Sequence, residues 1–455
     1  MELKLNEECG VFAIYDASGD CARSTYYGLY ALQHRGQEDC GIATVNDLEL
    51  SCHKGAGLVG DRFSEATLNE LNGTMAIGHV RYAGSSSLHK ENAQPLTLTY
   101  IKGSLAVAHN GKLTNSAELK REYEYKGAVF HTTTDSEVVA YIIAQARLHS
   151  GSAEAAVIEA CKRLKGAFSL VVMSSRKLIG ARDPWGFRPM CIGRKGDAII
   201  FASESCALDS IQATFLRDIE PGEVVWVEDG ILYSNRDNCT AKTSLCIFEY
   251  LYFARPDSII DGQSVYDARI NAGKCLAREY PIDADIVIGV PDSGLVAAKG
   301  YSLATGIPSA TGFIKNRYIG RTFIKPTQAT REEEVKIKLN PLRATIEGKR
   351  VVMIDDSIVR GTTVVQIIKL LREAGAKEVH VLSSAPKFIS PCFFGTDIPS
   401  KADLFACNYS TEEMCSIIGA DSLNFLSVES LKDIAPNSTC GFCDACFTEN
   451  YPTLN

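Results

Sequence analysis

Apolar positions along the first half of the chain gather in short runs bounded by turn residues. Cys9-Gly-Val-Phe-Ala-Ile-Tyr15, Ala167-Phe-Ser-Leu-Val-Val-Met173 and Val224-Val-Trp-Val227 have strand length and carry many β-branched and aromatic residues. Each predicts a buried strand. Few helical patterns interrupt them; Thr25 to Gln33, Asp135 to Leu148 and Ser152 to Leu164 are the candidates. Sheets covered by helices, an α+β layering, are the expected result.

A polar stretch from Asp229 to Ser244, rich in Asn, Asp, Thr and Ser, reads as a linker or a crossing loop. Beyond it the texture changes. Asp285-Ile-Val-Ile-Gly-Val290 and Lys349-Arg-Val-Val-Met-Ile-Asp355 are continuous apolar runs, each followed by a Gly-containing polar loop and a helix-like segment. That is the pattern of parallel strands buried on both faces, so the second part is predicted to be an α/β domain. No internal repeat is evident, which removes solenoid architectures.

Length agrees with two domains, since 455 residues exceed one ordinary core. The balance of 47 Lys plus Arg against 55 Asp plus Glu, a net charge of -8, argues against a general nucleic-acid binder. No apolar run reaches bilayer length, and Met1 to Glu8 lack the apolar core of a secretion signal, so no membrane partner and a cytoplasmic location are expected. Sixteen Cys are then read as thiols, nucleophiles or metal ligands more readily than disulfides.

The most informative string is Val351-Val-Met-Ile-Asp355-Asp356-Ser357-Ile-Val-Arg360-Gly361-Thr362-Thr363. A buried strand delivers two carboxylates to its end, and a loop with Gly and hydroxyls opens a helix whose backbone amides can converge on a phosphate. Paired Asp alone would be read as a helix cap. The whole string resembles the phosphoribosyl pyrophosphate motif of the phosphoribosyltransferase family. That resemblance implies that Asp355 and Asp356 contact ribose hydroxyls, while Ser357, Arg360, Gly361, Thr362 and Thr363 cradle the 5-phosphate. Val290-Pro-Asp-Ser293-Gly294 resembles the family's pyrophosphate loop, with Ser293 joining Asp355 and Asp356 at Mg²⁺. The basic stretch from Lys315 to Arg331 resembles a loop that closes over the bound sugar and excludes water.

In the first half, Cys9 is followed by Gly10, and further on come Leu32-Gln-His-Arg35-Gly-Gln37, Gly78-His-Val-Arg81-Tyr82, His109-Asn110-Gly111 and Thr133-Thr-Asp135-Ser-Glu137. Alone, a Cys opening an apolar strand is usually a core thiol. In this order the segments resemble the glutamine amidotransferases with an N-terminal Cys nucleophile. The resemblance implies that Met1 to Glu8 are a propeptide and that the freed α-amino group of Cys9 is the base, which suits a group titrating at about 7.7–8.0. It further implies that Arg81 binds the α-carboxylate of glutamine and Asp135 its α-ammonium, that Asn110 and Gly111 form the oxyanion hole, and that Arg35 belongs to the glutamine site as a support. One departure is the run Ala83-Gly-Ser-Ser-Ser87 after Tyr82, where the family often has Ser-Thr.

Cys440-Gly-Phe-Cys443-Asp-Ala-Cys446 holds two overlapping Cys-x-x-Cys units. Spacing alone leaves a redox pair, a Zn²⁺ site and a share of a cluster all open. Nearly the whole chain resembles the amidophosphoribosyltransferases, whose propeptide-bearing branch often carries a [4Fe-4S] cluster, and that resemblance implies Cys246, Cys392, Cys443 and Cys446 as its ligands, with Cys440 as a competitor for one place.

The expected architecture is therefore an α+β N-terminal nucleophile glutaminase, an αββα sandwich, followed by an α/β phosphoribosyltransferase domain with a parallel sheet. Residues 1–8 are the propeptide, 9–240 the glutaminase, and 241–455 the second domain with its cysteine-rich tail. The resemblance implies transfer of ammonia from glutamine to phosphoribosyl pyrophosphate at the start of purine synthesis, feedback by purine nucleotides and a homotetramer. Rivals are a non-catalytic sensor of the sugar pyrophosphate and a glucosamine-6-phosphate synthase, which would lack the Asp355 to Thr363 string.

Overall fold

The computed structural model describes residues 9–82, 90–316, 339–398 and 400–452. Met1 to Glu8, expected as a propeptide, the run from Ala83 to Ser87 and all of the basic stretch from Arg317 onward lie outside the described residues.

The first domain is two antiparallel sheets stacked face to face. One has seven strands, with Gly10–Tyr15 held between Ala198–Ala202 and Met75–Arg81. The other has six, with Gly166–Ser174 held between Gly103–Leu113 and Leu178–Arg182. The apolar runs are continuous because both faces of these strands are covered. Val11 and Ala13 enter the core between the sheets together with Ala106, Ala108, Val171 and Met173. Their neighbours Phe12 and Ile14 turn outward beneath the helix Cys21–Ala31. On the far side Leu105, Val107, Leu170 and Val172 pack under the helices Asp135–His149 and Ala153–Cys161. The period-2 alternation of strand side chains thus feeds three apolar layers from two sheets. This is the αββα sandwich.

The helix expected over Thr25 to Gln33 begins earlier, at Cys21, and ends at Ala31. The reading of Asp229 to Ser244 as a linker needs a correction, because Ile231–Asn235 is a strand paired with Val224–Glu228. It is the outermost strand of its sheet. With only one neighbour it needs little apolar character, so polarity concealed it.

The second domain has a four-stranded parallel sheet in the order Ile286–Gly289, Arg350–Asp355, Glu378–Ser383, Ser422–Phe425. Val287, Val352, Ile354 and Leu382 face the helices Val265–Glu279 and Gly294–Thr305. Ile288, Val351, Met353 and Val381 face Thr362–Glu373 and Thr411–Ile418. Helices on both faces place the loops that follow the strands at one edge, where ligands bind in such folds.

Buried charges join the two domains. Arg182 forks onto both carboxylate oxygens of Asp261 at 2.7 Å, and Arg35 meets Glu249 at 2.7 Å.

Candidate functional site

The strand Gly10–Tyr15 fixes the backbone from residue 10 onward, since Gly10 pairs with Val80 and Val11 donates to Ser203 Oγ at 2.9 Å. Cys9, just ahead, is half-buried; its carbonyl accepts from Arg35 Nε at 3.2 Å. It opens on a cavity of about 220 Å³ whose wall also includes Arg81, Asn110, Gly111 and Asp135. Residues scattered over the first 135 positions therefore meet at one place.

Each is set by its local structure. Arg81 ends the strand Met75–Arg81 opposite Asp39, to which its Nη1 donates at 2.7 Å. Asp135 starts the helix Asp135–His149, and its Oδ2 accepts from the Leu113 amide at 2.8 Å. The loop before it is shaped by Glu137, whose carboxylate accepts from the amides of His131 and Thr132. Asn110 is 1% exposed, and among the described residues neither Nδ2 nor Oδ1 has a hydrogen-bond partner. A buried unpaired amide costs about 1–3 kcal/mol, so its presence in a cavity wall marks a group reserved for a ligand. Gly111 has φ +132°, and a Cβ there would lie 2.2 Å from the Ala167 carbonyl. Only glycine fits, and the strand shows bare backbone to the cavity.

Behind this wall His79 and His109 are buried, with His79 Nε2 3.1 Å from the His109 carbonyl. Burial lowers the pKa of His79 to about 3 and also lowers that of His109. Burial thus disfavours the charged form of both rings.

Arg35, expected at the glutamine site as a support, stands behind the cavity rather than on it. It lies outside the cavity wall, fully buried, and touches the Cys9 carbonyl, Glu204 and Glu249. Its contact is with the backbone of Cys9. Three wall residues were not anticipated: Lys112, which follows Gly111 on the same strand, Gln94 and Gly395. Gln94, 4% exposed, accepts from the His109 amide through Oε1 at 2.8 Å. Gly395 reaches the wall from the second domain, with φ +121° and no room for a Cβ beside Arg188 Nη2 at 2.9 Å. A glycine three residues past Cys392 was visible in the sequence, but its partner across the domain boundary was not.

At the carboxyl end of Arg350–Asp355 the second site collects the predicted residues. Asp356 Oδ1 accepts from Ser293 Oγ, Asp356 Oδ2 from Ser357 Oγ at 2.7 Å, and Asp355 Oδ1 from the Asp356 amide at 3.0 Å. The loop through Arg360 and Gly361 leads into the helix Thr362–Glu373, whose first two residues are Thr362 and Thr363. Lys315 pairs with Asp292 at the neighbouring loop. Behind the carboxylates Arg269 is 4% exposed; burial lowers its pKa to about 10 while Asp356 opposes the shift.

Cys246, Cys392, Cys443 and Cys446 line one small cavity of about 20 Å³, together with Phe187, Phe248 and Tyr451. A short parallel pairing sets Cys246 beside Cys443. Burial raises the Cys443 thiol to about 12, with Cys392 adding to it, and that of Cys446 well above its ordinary value, with Cys246, Cys392 and Cys443 adding to it. Cys440 is absent from this wall and faces Asp261 and Thr243 instead. Among the described residues, no three His, Cys, Asp or Glu groups close tightly enough to hold a single metal ion.

Comparison with known proteins matches both halves. A family model described as a glutamine amidotransferase domain covers residues 79–210, and one described as a phosphoribosyl transferase domain covers residues 257–387. The amidophosphoribosyltransferase of Bacillus subtilis (strain 168) is 49% identical over 99% of this chain and 95% of its own. That of Methanocaldococcus jannaschii is 47% identical, covering 98% of each. The structure of the B. subtilis glutamine phosphoribosylpyrophosphate amidotransferase complexed with ADP and GMP is similar, with a TM-score of 0.90, 48% identity, and coverage of 98% of this chain and 97% of that one.

Proposed function

The chain belongs to the amidophosphoribosyltransferase family, and from that membership we propose how its two sites divide the reaction. Glutamine is hydrolysed in the first domain, and its ammonia is transferred in the second to phosphoribosyl pyrophosphate. The products are 5-phosphoribosylamine, glutamate and pyrophosphate, the opening step of purine synthesis. The observation that carries the donor half is the meeting of Cys9, Arg81, Asn110, Gly111 and Asp135 on one cavity.

There, Arg81 takes the α-carboxylate and Asp135 the α-ammonium of glutamine, a planar fork for one and an anion for the other. The Cys9 sulfur attacks the side-chain carbonyl, and its proton passes to the departing nitrogen as the C–N bond breaks. Water then cleaves the thioester and returns the thiol. Removal of Met1 to Glu8 would make the α-amino group of Cys9 the base for both steps. The oxyanion forms against Asn110 Nδ2 and the Gly111 amide, and the unpartnered side chain of Asn110 supports that role.

At the second site ammonia bonds to the anomeric carbon as its bond to pyrophosphate breaks. Asp355 and Asp356 hold the ribose hydroxyls, and Ser357, Arg360, Gly361, Thr362 and Thr363 hold the 5-phosphate at a helix start. The oxygens of Ser293, Asp355 and Asp356 are hard donors that fit Mg²⁺, which takes few protein ligands and completes its shell with phosphates and water. Bound there, it supplies charge neutralisation to the leaving pyrophosphate.

The four thiols on one cavity are soft donors of the kind that would hold a [4Fe-4S] cluster. Cys246, Cys392, Cys443 and Cys446 would hold the cluster, which would tie together the beginning, middle and end of the second domain. No disulfide joins any of the sixteen cysteines, which supports a reducing, cytoplasmic location. The ADP and GMP bound to the B. subtilis enzyme support purine nucleotides as effectors here as well.

Two variants test the division of labour. Cys9→Ala should abolish glutamine-dependent synthesis and leave ammonia-dependent synthesis; Asp355→Ala should remove both. Loss of both activities in Cys9→Ala contradicts the reading.

A further inference from the structure

A carboxylate of the second domain reaches the backbone of Cys9 through one intermediary. Arg35 donates Nε to the Cys9 carbonyl at 3.2 Å, Nη1 to Glu204 at 2.5 Å, and both Nη1 and Nη2 to Glu249, at 3.0 and 2.7 Å. All three side chains are fully shielded from solvent. Burial works against the Arg35 charge, but Glu249 and Glu204 outweigh it and raise its pKa above the ordinary value.

The two carboxylates are not equivalent. Glu204 is shared: it also accepts from His34, the Arg255 amide and Ser258 Oγ. Glu249 offers Arg35 both oxygens in a fork, and its other charged neighbour, Arg188, stands 3.7 Å away. A fork fixes the plane of a guanidinium where a single contact leaves it free to turn, and that plane decides where Nε points. Glu249 is itself held. It begins the five-residue π-helix Glu249–Phe253, and Arg269 closes that turn by donating to the carbonyls of Tyr250, Tyr252 and Ala254. The same Arg269 feels the charge of Asp356 in the sugar-phosphate site.

We propose that Glu249 is a positioning residue of the glutaminase: through Arg35 it holds the Cys9 backbone so that the sulfur stands at the oxyanion hole. The acceptor domain thereby supplies part of the donor domain's nucleophile geometry. The inference rests on Cys9 being the nucleophile.

The test uses the full-length enzyme and Glu249→Gln, which keeps the shape but turns one arm of the fork from acceptor to donor. A displacement of the nucleophile by a fraction of an ångström to an ångström is worth roughly 10- to 100-fold in rate. The kcat for glutamine should therefore fall by about that factor, with KM for glutamine and the ammonia-dependent rate each within about twofold. Glu249→Asp keeps two acceptor oxygens and should recover most of the loss. Arg35→Lys, which has no fork, should add little to Glu249→Gln, because both break the same link. An unchanged kcat in Glu249→Gln overturns the proposal. So does a parallel fall of glutamine- and ammonia-dependent rates in both Glu249→Gln and Glu249→Asp, since that is the mark of general misfolding. Cys9→Ala in the same assays separates the premise: glutamine turnover surviving in that variant would remove the nucleophile reading itself.

Discussion

Replacing Asn110 should nearly silence glutamine use without lowering stability, a pairing that few buried residues would give. Asn110 is 1% exposed, and both polar atoms of its side chain are buried without partners. In the resting enzyme that arrangement costs about 1–3 kcal/mol of unrecovered desolvation. Asn110→Ala removes the cost but also a few heavy atoms of packing, worth about 0.1–0.2 kcal/mol for each lost contact. The two effects oppose each other, and the net change should stay within about 1 kcal/mol. For a domain of this size that is a melting shift of about 2–4 °C at most. The catalytic term has no such offset. Loss of one oxyanion donor costs about 2.7–4 kcal/mol, or 10²- to 10³-fold in kcat.

The interaction forms only when negative charge appears on the carbonyl oxygen, so kcat should fall while KM for glutamine holds. Steady-state glutaminase kinetics, ammonia-dependent synthesis and a thermal melt of the same preparation give the three readings. Asn110→Asp, which keeps the shape but replaces the donor with an acceptor, should be at least as inactive. Glutamine turnover within tenfold of the parent would refute the oxyanion role. A melting temperature lower by ten degrees or more with ammonia-dependent synthesis also lost would make Asn110 a structural residue.

Three further outcomes are expected. Gly395→Ala places a Cβ in a backbone of φ +121° and 2.9 Å from Arg188 Nη2, so it should depress glutamine-dependent synthesis and spare the ammonia-dependent rate; equal loss of both would contradict the role of this loop in the donor cavity. Iron and sulfide analysis of anaerobic protein should find a cluster lost in Cys443→Ser and kept in Cys440→Ser, because only Cys443 lines the four-thiol cavity; zinc without sulfide in the parent would refute the cluster. His79 is held neutral when folded, with its pKa lowered to about 3 by burial against 6.5 when unfolded. The unfolded chain therefore binds the extra proton between those values, so this contribution is intact above pH 6.5 and shrinks as pH falls, by about 3 kcal/mol at pH 4. His79→Gln should flatten that part of the urea-midpoint profile, and parallel profiles for the two proteins would count against it.

The residues legible in the sequence share one property: their neighbours in the chain are also their neighbours in the site. Asp355 to Thr363 run from a strand end through a loop into a helix, so local order carries the geometry. His109-Asn110-Gly111 and Thr133 to Glu137 behave alike, each bringing a short segment intact to the cavity wall. The residues that escaped are made by contacts with distant partners. Gln94 is oriented by the amide of His109 on another strand, Gly395 meets Gly111 from the other domain, and the strand Ile231–Asn235 exists because Val224–Glu228 accepts it as a neighbour. Arg35 shows the same limit within one residue. Its segment was recognisable, but the direction of its guanidinium is decided by Glu204 and Glu249, 169 and 214 positions away.

Those long-range contacts carry a consequence for how the halves cooperate. A domain interface free to open would be wet and weakly paired, as interfaces between mobile domains usually are. Here Arg182, Arg35, Glu204 and Glu249 are buried with their charges matched across or beside it. Separating the domains would break these pairs, and any partner that stayed buried would be left as an unpaired charge, a cost of about 3–5 kcal/mol. The interface is thus a dry joint. Ammonia released at Cys9 meets a cavity whose wall includes Gly395, contributed by the domain that consumes it. On the proposed reading, the buried charges that hold the two domains together are the same ones that orient Cys9.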